Sequence, residues 1–202
     1  MASRVYLAGP DVFLPEAVAW AARKQAICAA HGLIGVAPLD PAPLDPAPLG
    51  PVTPDAARAA LPEWRAIAAA NEAHIRGADA LIANLTPFRG PSADAGTVYE
   101  LGFMRALGRP VFGYVVGETR FTDRTRHWAG DAARQEADGT WRDDEAMAIE
   151  DFGLWDNLMI EAGIAASGGV LIVGPADPAA GRWHDLSIFE RCVIAAAAHL
   201  LE

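Results

Sequence analysis

Short apolar runs alternate along this 202-residue chain with longer Ala-rich segments of helical spacing, and that alternation limits the folds open to it. Runs of this kind at 4–8, 33–37, 80–85, 110–116 and 170–173 read as strands, the first ending in the tight Gly9-Pro10 turn. Between them, helical spacing covers 15–31, stopped by Gly32. It continues over a segment opened by the Thr53-Pro54 cap signal, with a break near Pro62, to about Arg76. Further helices are expected at 94–107, 158–166 and 186–201. Strands taken in turn with helices imply a mostly parallel sheet covered on both faces. The expected fold class is therefore α/β: a single doubly wound domain over 1–202, flavodoxin-like or Rossmann-like, with a five-stranded sheet. Two stretches stand outside this rhythm. Residues 40–52 carry the direct duplication DPAPL-DPAPL, which suits neither helix nor central strand and reads as a Pro-rich surface loop. Residues 117–148 are polar without clear periodicity and read as an irregular insertion.

In such sheets ligands collect beyond the carboxyl ends of the strands, where the strand order reverses. The unusual loops here, 9–13, 86–93 and 117 onward, all follow strands, so the chemistry should converge at one edge. Several chemistries lack their motifs. There is no GxGxxG after the first strand, no GxxxxGK[ST] and no GxSxG. The five histidines have no metal-ligand spacing, so neither a metal nor a cofactor is expected. A formal charge of -10 without a basic stripe disfavours a nucleic-acid partner. No apolar run reaches the roughly 18 residues of a membrane span, and the start of the chain does not read as a signal peptide, so a cytoplasmic location is expected. Cys28 and Cys192 sit in apolar helical patterns and read as free buried thiols.

The informative segment is 88–102. Glu100 lies in the middle of an apolar helical stretch whose other charge is Arg105, and its i−4 neighbour is Gly96, which leaves an open slot above the carboxylate. Gly102 also permits close approach. Two glycines in one short helix cost about 1 kcal/mol each against alanine, so packing or binding has to account for them. A carboxylate over a cleft in apolar surroundings is what covalent attack on a sugar carbon needs. A solvated glutamate on a helix packed through its glycines fits the same spacing, and both readings stay open. Asp94, where the loop enters the helix, reads as an N-cap, a role compatible with touching a ligand. Tyr6 alone would be a core tyrosine. Asn71 reads as helix surface, Asn84 as a strand end and Asn157 as a helix cap.

Together these pieces resemble the nucleoside 2-deoxyribosyltransferase family. They are Tyr6-Leu-Ala-Gly-Pro-Asp-Val-Phe13, Asn71 onward through 79–85, the run Phe-Arg-Gly-Pro-Ser-x-Asp-x-Gly-Thr-x-x-Glu-x-Gly at 88–102, and 151–159. The resemblance implies an enzyme that moves a 2-deoxyribosyl group between nucleobases through a covalent intermediate on Glu100. It makes Asp94 the base-contacting residue and proton donor, and Tyr6 the group that orients the nucleophile. It implies a substrate surface from Gly9, Asp11, Phe13, Asn71 and Asn84 on one side, and from Phe88, Arg89, Gly90, Ser92 and Gly96 on the other. Asn157, with Met159 beside it, matches a residue that reaches the sugar 5′-hydroxyl from a neighbouring subunit. The implied partners are deoxynucleosides, free nucleobases and further copies of the chain in a homodimer or higher homo-oligomer. The apolar face of 194–201 adds weak support for that assembly. Asn71 stands where the family's best-studied members have aspartate, and the Pro-rich loop looks like this chain's own elaboration. The alternatives are an N-glycosidase of deoxynucleoside 5′-monophosphates, for which Arg89 and Ser92 suit a phosphate, and a non-catalytic nucleotide-binding module.

Overall fold

The computed structural model describes residues 2–41 and 63–201. The expected Pro-rich loop, apart from its first two residues, and the Thr53-Pro54 helix start with the break at Pro62 lie outside the described residues. Five strands form one parallel sheet: β1 (Arg4–Ala8), β2 (Ile34–Val36), β3 (Ala80–Asn84), β4 (Val111–Val116) and β7 (Leu171–Gly174). Their order is β2-β1-β3-β4-β7. This is the flavodoxin-like winding, and its direction reverses between β1 and β3. A separate antiparallel pair, β5 (Arg134–Gln135) and β6 (Trp141–Arg142), lies in the insertion.

The helices are α1 (Ala17–Ala30), α2 (Glu63–Arg76), α3 (Ala95–Ala106), α4 (Phe121–Ala129), α5 (Leu158–Ala166) and α6 (Ser187–Leu200). Strand alternation divides the core between the two faces of the sheet. Val5 and Leu7 pack with Cys28 of α1 and with Phe189, Cys192, Val193 and Ala196 of α6. Tyr6 and Ala8 point the other way, among Ile75 of α2, Leu101 and Met104 of α3, and Ile160 and Ile164 of α5. The closing helix therefore spends most of its apolar face on the core, leaving Ile194 and Leu201 exposed. Cys28 and Cys192 are free and buried, as expected.

The sheet strands and the described helices outside the insertion fall within two residues of their expected ends. The insertion differs, because residues 117–148 hold a helix and a hairpin. Helix α4 is nine residues long, mostly polar, and buries only Thr122, and strands of two residues are too short to show alternation. No described helix is long and apolar enough to cross a membrane.

Candidate active site

Three elements bring three of the expected residues together at the reversal point. Tyr6 on β1 is fully buried, and its hydroxyl donates to Glu100 Oε1 on α3 at 2.7 Å. Asn71, on the inner face of α2, donates from Nδ2 to the same oxygen at 3.4 Å. Oε1 is thus occupied twice, while Oε2 takes no hydrogen bond from the described residues. Burial pushes the half-buried Glu100 carboxyl up to about 7, while the Tyr6 bond opposes the rise and the nearby Asp94 charge adds to it. Burial and the Glu100 charge raise the Tyr6 phenol far above its ordinary range, so it remains a donor.

Asp94 is the N-cap of α3: its Oδ2 accepts from Thr97 N at 2.9 Å and from Thr97 Oγ1 at 3.0 Å. Oδ1 is not used in this cap. A Cβ on Gly96 would stand 3.1 Å from Asp94 Oδ2, a tight contact that ties the glycine to the cap. Behind Tyr6 lies buried His74, its ring 6.5 Å away and nearly parallel. Its Nε2 is 3.2 Å from the Asp40 carbonyl, and its Nδ1 has no partner among the described residues.

A second group ties the loops after β1 and β3 together. Asn84 donates to Asp11 Oδ1 at 2.9 Å and accepts from Thr86 N at 3.1 Å. Lys24 donates to Asp11 Oδ2 at 2.6 Å and is only 3% exposed, with Phe189 and Tyr114 under its ammonium. Gly9 is required here, since a Cβ would come within 2.8 Å of both Asn84 Cβ and Asp11 Oδ2. Sequence reading missed Lys24, although it continues the i, i+4 stripe Trp20–Lys24–Cys28 that α1 buries.

A third group is aromatic. Phe13, 56% exposed in the short 3-10 turn Pro10–Phe13, stacks on Phe88 with centroids 5.4 Å apart and planes 8° from parallel. Arg89 adopts a left-handed backbone, φ 54°, and lays its guanidinium 5.0 Å from the Phe13 ring and 4.6 Å from that of Phe88. Left-handed backbone in a non-glycine residue costs about 1 kcal/mol or more and gathers at ligand clamps. Trp183, which sequence reading did not single out, meets Phe88 edge to face at 6.0 Å.

The remaining expected residues are placed by the neck before α5. Asp156, 1% exposed, accepts from Ser92 Oγ at 2.5 Å and from Ala93 N at 2.9 Å. Arg124 on α4 lies 3.7 Å from Asp156 and donates to the Pro91 carbonyl at 2.7 Å. The insertion thereby braces the loop that leads to Glu100, and neither residue carried a sequence signal. Gly90 is open, with no described atom within 4 Å of the place a Cβ would take. Asn157 caps α5, accepting from Met159 N at 3.0 Å and donating to Glu150, while Met159 is 71% exposed. Within the chain, neither is hydrogen-bonded to the Tyr6–Glu100–Asn71 group.

Glu100 is thus a half-buried carboxylate with one oxygen held by two donors, on the helix that follows β3 of an open parallel sheet. The sequence pattern described as nucleoside 2-deoxyribosyltransferase matches residues 5–159, and the chain belongs to that family. An uncharacterised protein of Schizosaccharomyces pombe is 30% identical over 178 residues, covering 84% of this chain and 80% of that one. A solved 2-deoxyribosyltransferase of Leishmania mexicana is 28% identical with a TM-score of 0.53, covering 78% of this chain and 85% of that one. A conserved protein of Enterococcus faecalis shares the fold, with a TM-score of 0.51 at 21% identity over 86% of this chain and 92% of that one.

Proposed function

We propose that the protein transfers a 2-deoxyribosyl group between the nucleobases of 2′-deoxynucleosides by a retaining double displacement through a glycosyl ester of Glu100. The observation that carries this reading is the Tyr6–Glu100 hydrogen bond, which holds one carboxylate oxygen and leaves the other for attack. In the first half-reaction the C1′–N bond breaks, a C1′–Oε2 bond forms, and the departing base takes a proton from Asp94. Oxocarbenium character at C1′ is stabilised by the same carboxylate that traps it. In the second half-reaction another base attacks C1′, Glu100 leaves as carboxylate, and Asp94 recovers the proton. Water competing with the second base gives slow hydrolysis. These steps need no metal or cofactor.

The aromatic group, Asn71 and the open turn at Gly90 serve the nucleoside, and Gly9, Asp11, Asn84, Ser92 and Gly96 shape the loops around it. Phe152 and Met159 are both exposed large hydrophobics, available to a second copy that would complete each site in a homo-oligomer. Nucleotide salvage in the cytoplasm is the physiological setting of such an exchange. A second reading, hydrolysis of deoxynucleoside 5′-monophosphates, draws on the exposed Arg89 and on the commitment of the Asn157 amide to Glu150.

The test is a chromatographic assay with deoxyinosine, thymidine and free adenine, run beside Glu100→Ala. Deoxyadenosine formed by the wild type and not by the variant supports both exchange and nucleophile. Free sugar alone, or consumption of a 5′-monophosphate alone, transfers the reading to the hydrolase. Binding without turnover leaves a nucleotide-binding module.

A further inference from the structure

The three residues that lead into Asp94 are each tied to a single turn, Trp155-Asp156, far along the chain. Arg124 joins the Pro91 carbonyl, at 2.7 Å, to that of Trp155, at 2.6 Å. Ser92 Oγ donates to Asp156 Oδ1 at 2.5 Å, and Ala93 N donates to Oδ2 at 2.9 Å. The Asp156 side chain is 1% exposed, and Asn157 N also donates to its Oδ1, at 2.8 Å. The turn is fixed in its own right, because Asp156 N donates to Glu161 of α5 at 3.2 Å. On the other side of Asp94, Thr97 occupies Oδ2 through its N–H and its hydroxyl. Asp94 is thus held from both directions, and a helix cap needs no such anchorage behind it. Burying a carboxylate beside an arginine is also a poor way to stabilise a fold, since apolar residues of like size serve as well or better. What the arrangement supplies is fixed geometry.

We infer that Asp156 is a positioning residue that acts through Asp94: by holding Ser92 and Ala93, it sets where the Asp94 oxygen left outside the cap stands. The inference rests on the proposed role of Asp94 as proton donor, and deepens it by naming the residue that aims the donor. Proton transfer to a departing base works within hydrogen-bond reach, about 2.6–3.2 Å, and a displacement of about 1 Å can cost about a hundredfold in rate. Asp156 supplies no proton of its own. Its contribution exists only while Asp94 is there to be aimed.

The experiment is a double-mutant cycle of Asp156→Asn and Asp94→Asn on the full chain. Base exchange with free adenine is followed from whichever donor, deoxyinosine or thymidine, the wild type uses. Single turnover with enzyme in excess reads rates down to about 10⁻⁴ of wild type. Thermal unfolding of each variant reports folding. Asp156→Glu, which keeps the charge beside Arg124 and lengthens the arm by one methylene, goes through the same cycle in case the amide does not fold. The expected result is a loss of about tenfold or more in rate for the Asp156 variant, with donor affinity changed by less than about threefold. In the Asp94→Asn background the same substitution should change the rate by less than about twofold. Losses that multiply across the two sites, a loss carried by donor affinity alone, or no loss at all overturns this proposal and leaves the transferase reading standing. Absence of exchange by the wild type overturns both.

Discussion

In the proposed mechanism a single carboxyl group sets the pH behaviour of the site. Attack on C1′ needs Glu100 ionised, and burial places its titration near 7, so kcat/KM should rise with pH through about that value. Removing the Tyr6 hydrogen bond, which favours the charged form, moves the rise to higher pH, so Tyr6→Phe should lower activity most at neutral pH and below. Asn71→Asp puts a second carboxyl on the same oxygen and should move the rise upward by about one pH unit. Rate profiles from about pH 5 to about pH 9 read both shifts; a limb that stays in place in both variants would show that Glu100 is not the group observed. The same displacement has a stability side. A carboxyl whose folded value lies above its unfolded one favours the fold below the unfolded value, and that contribution is lost as pH rises through about 7. Glu100→Gln should therefore melt higher than wild type at about pH 8, by on the order of 5 °C, with the difference vanishing near pH 4. At this scale spacing left Glu100 open between a reactive carboxylate and a solvated one, and the structure shows it half-buried and hydrogen-bonded to Tyr6. It left Asp94 and Asn157 as caps, and the structure shows both capping.

The loops that carry the site are held by contacts between elements distant in sequence. The chain Lys24–Asp11–Asn84 joins α1 to the ends of β1 and β3, and Asp156 with Arg124 braces 91–93 from the far side of the insertion. Breaking a buried ion pair from one side strands a charge, at about 3–5 kcal/mol, whereas removing both charges costs far less. Lys24→Met should accordingly lower the denaturation free energy by about 3 kcal/mol or more, and Lys24→Met with Asp11→Asn should recover most of it. Chemical denaturation of the two variants decides this; equal losses in both would mean the pair is not what holds the turn. These ties were hidden from sequence reading for a physical reason. A lysine in an Ala-rich helix is ordinarily solvated, and only its place on the Trp20–Cys28 stripe marks it as inward. Asp156 has no comparable stripe, because it lies in a turn whose partners are 63 and 64 residues away.

The sheet was legible because its central strands β1, β3 and β4 are buried on both faces, and all five strands appear as apolar runs. The insertion was not, since α4 is polar and β5 and β6 are two residues each. Cys28 and Cys192 lie in the core between the sheet and the α1–α6 layer, where burial pushes the Cys28 thiol up to about 11 and Cys192 higher still. Neither should react with a thiol reagent in the native protein at neutral pH, and both should react once denaturant opens the fold. Labelling of either in the native state, faster than global opening allows, would contradict that packing. Strand β1 sends Tyr6, which holds Glu100, to one side and Val5 and Leu7 to the α1–α6 core on the other. Lys24 bridges the two sides, running from above Phe189 to Asp11, so a change in the α1–α6 packing that displaces Phe189 is transmitted to the loops at the strand ends.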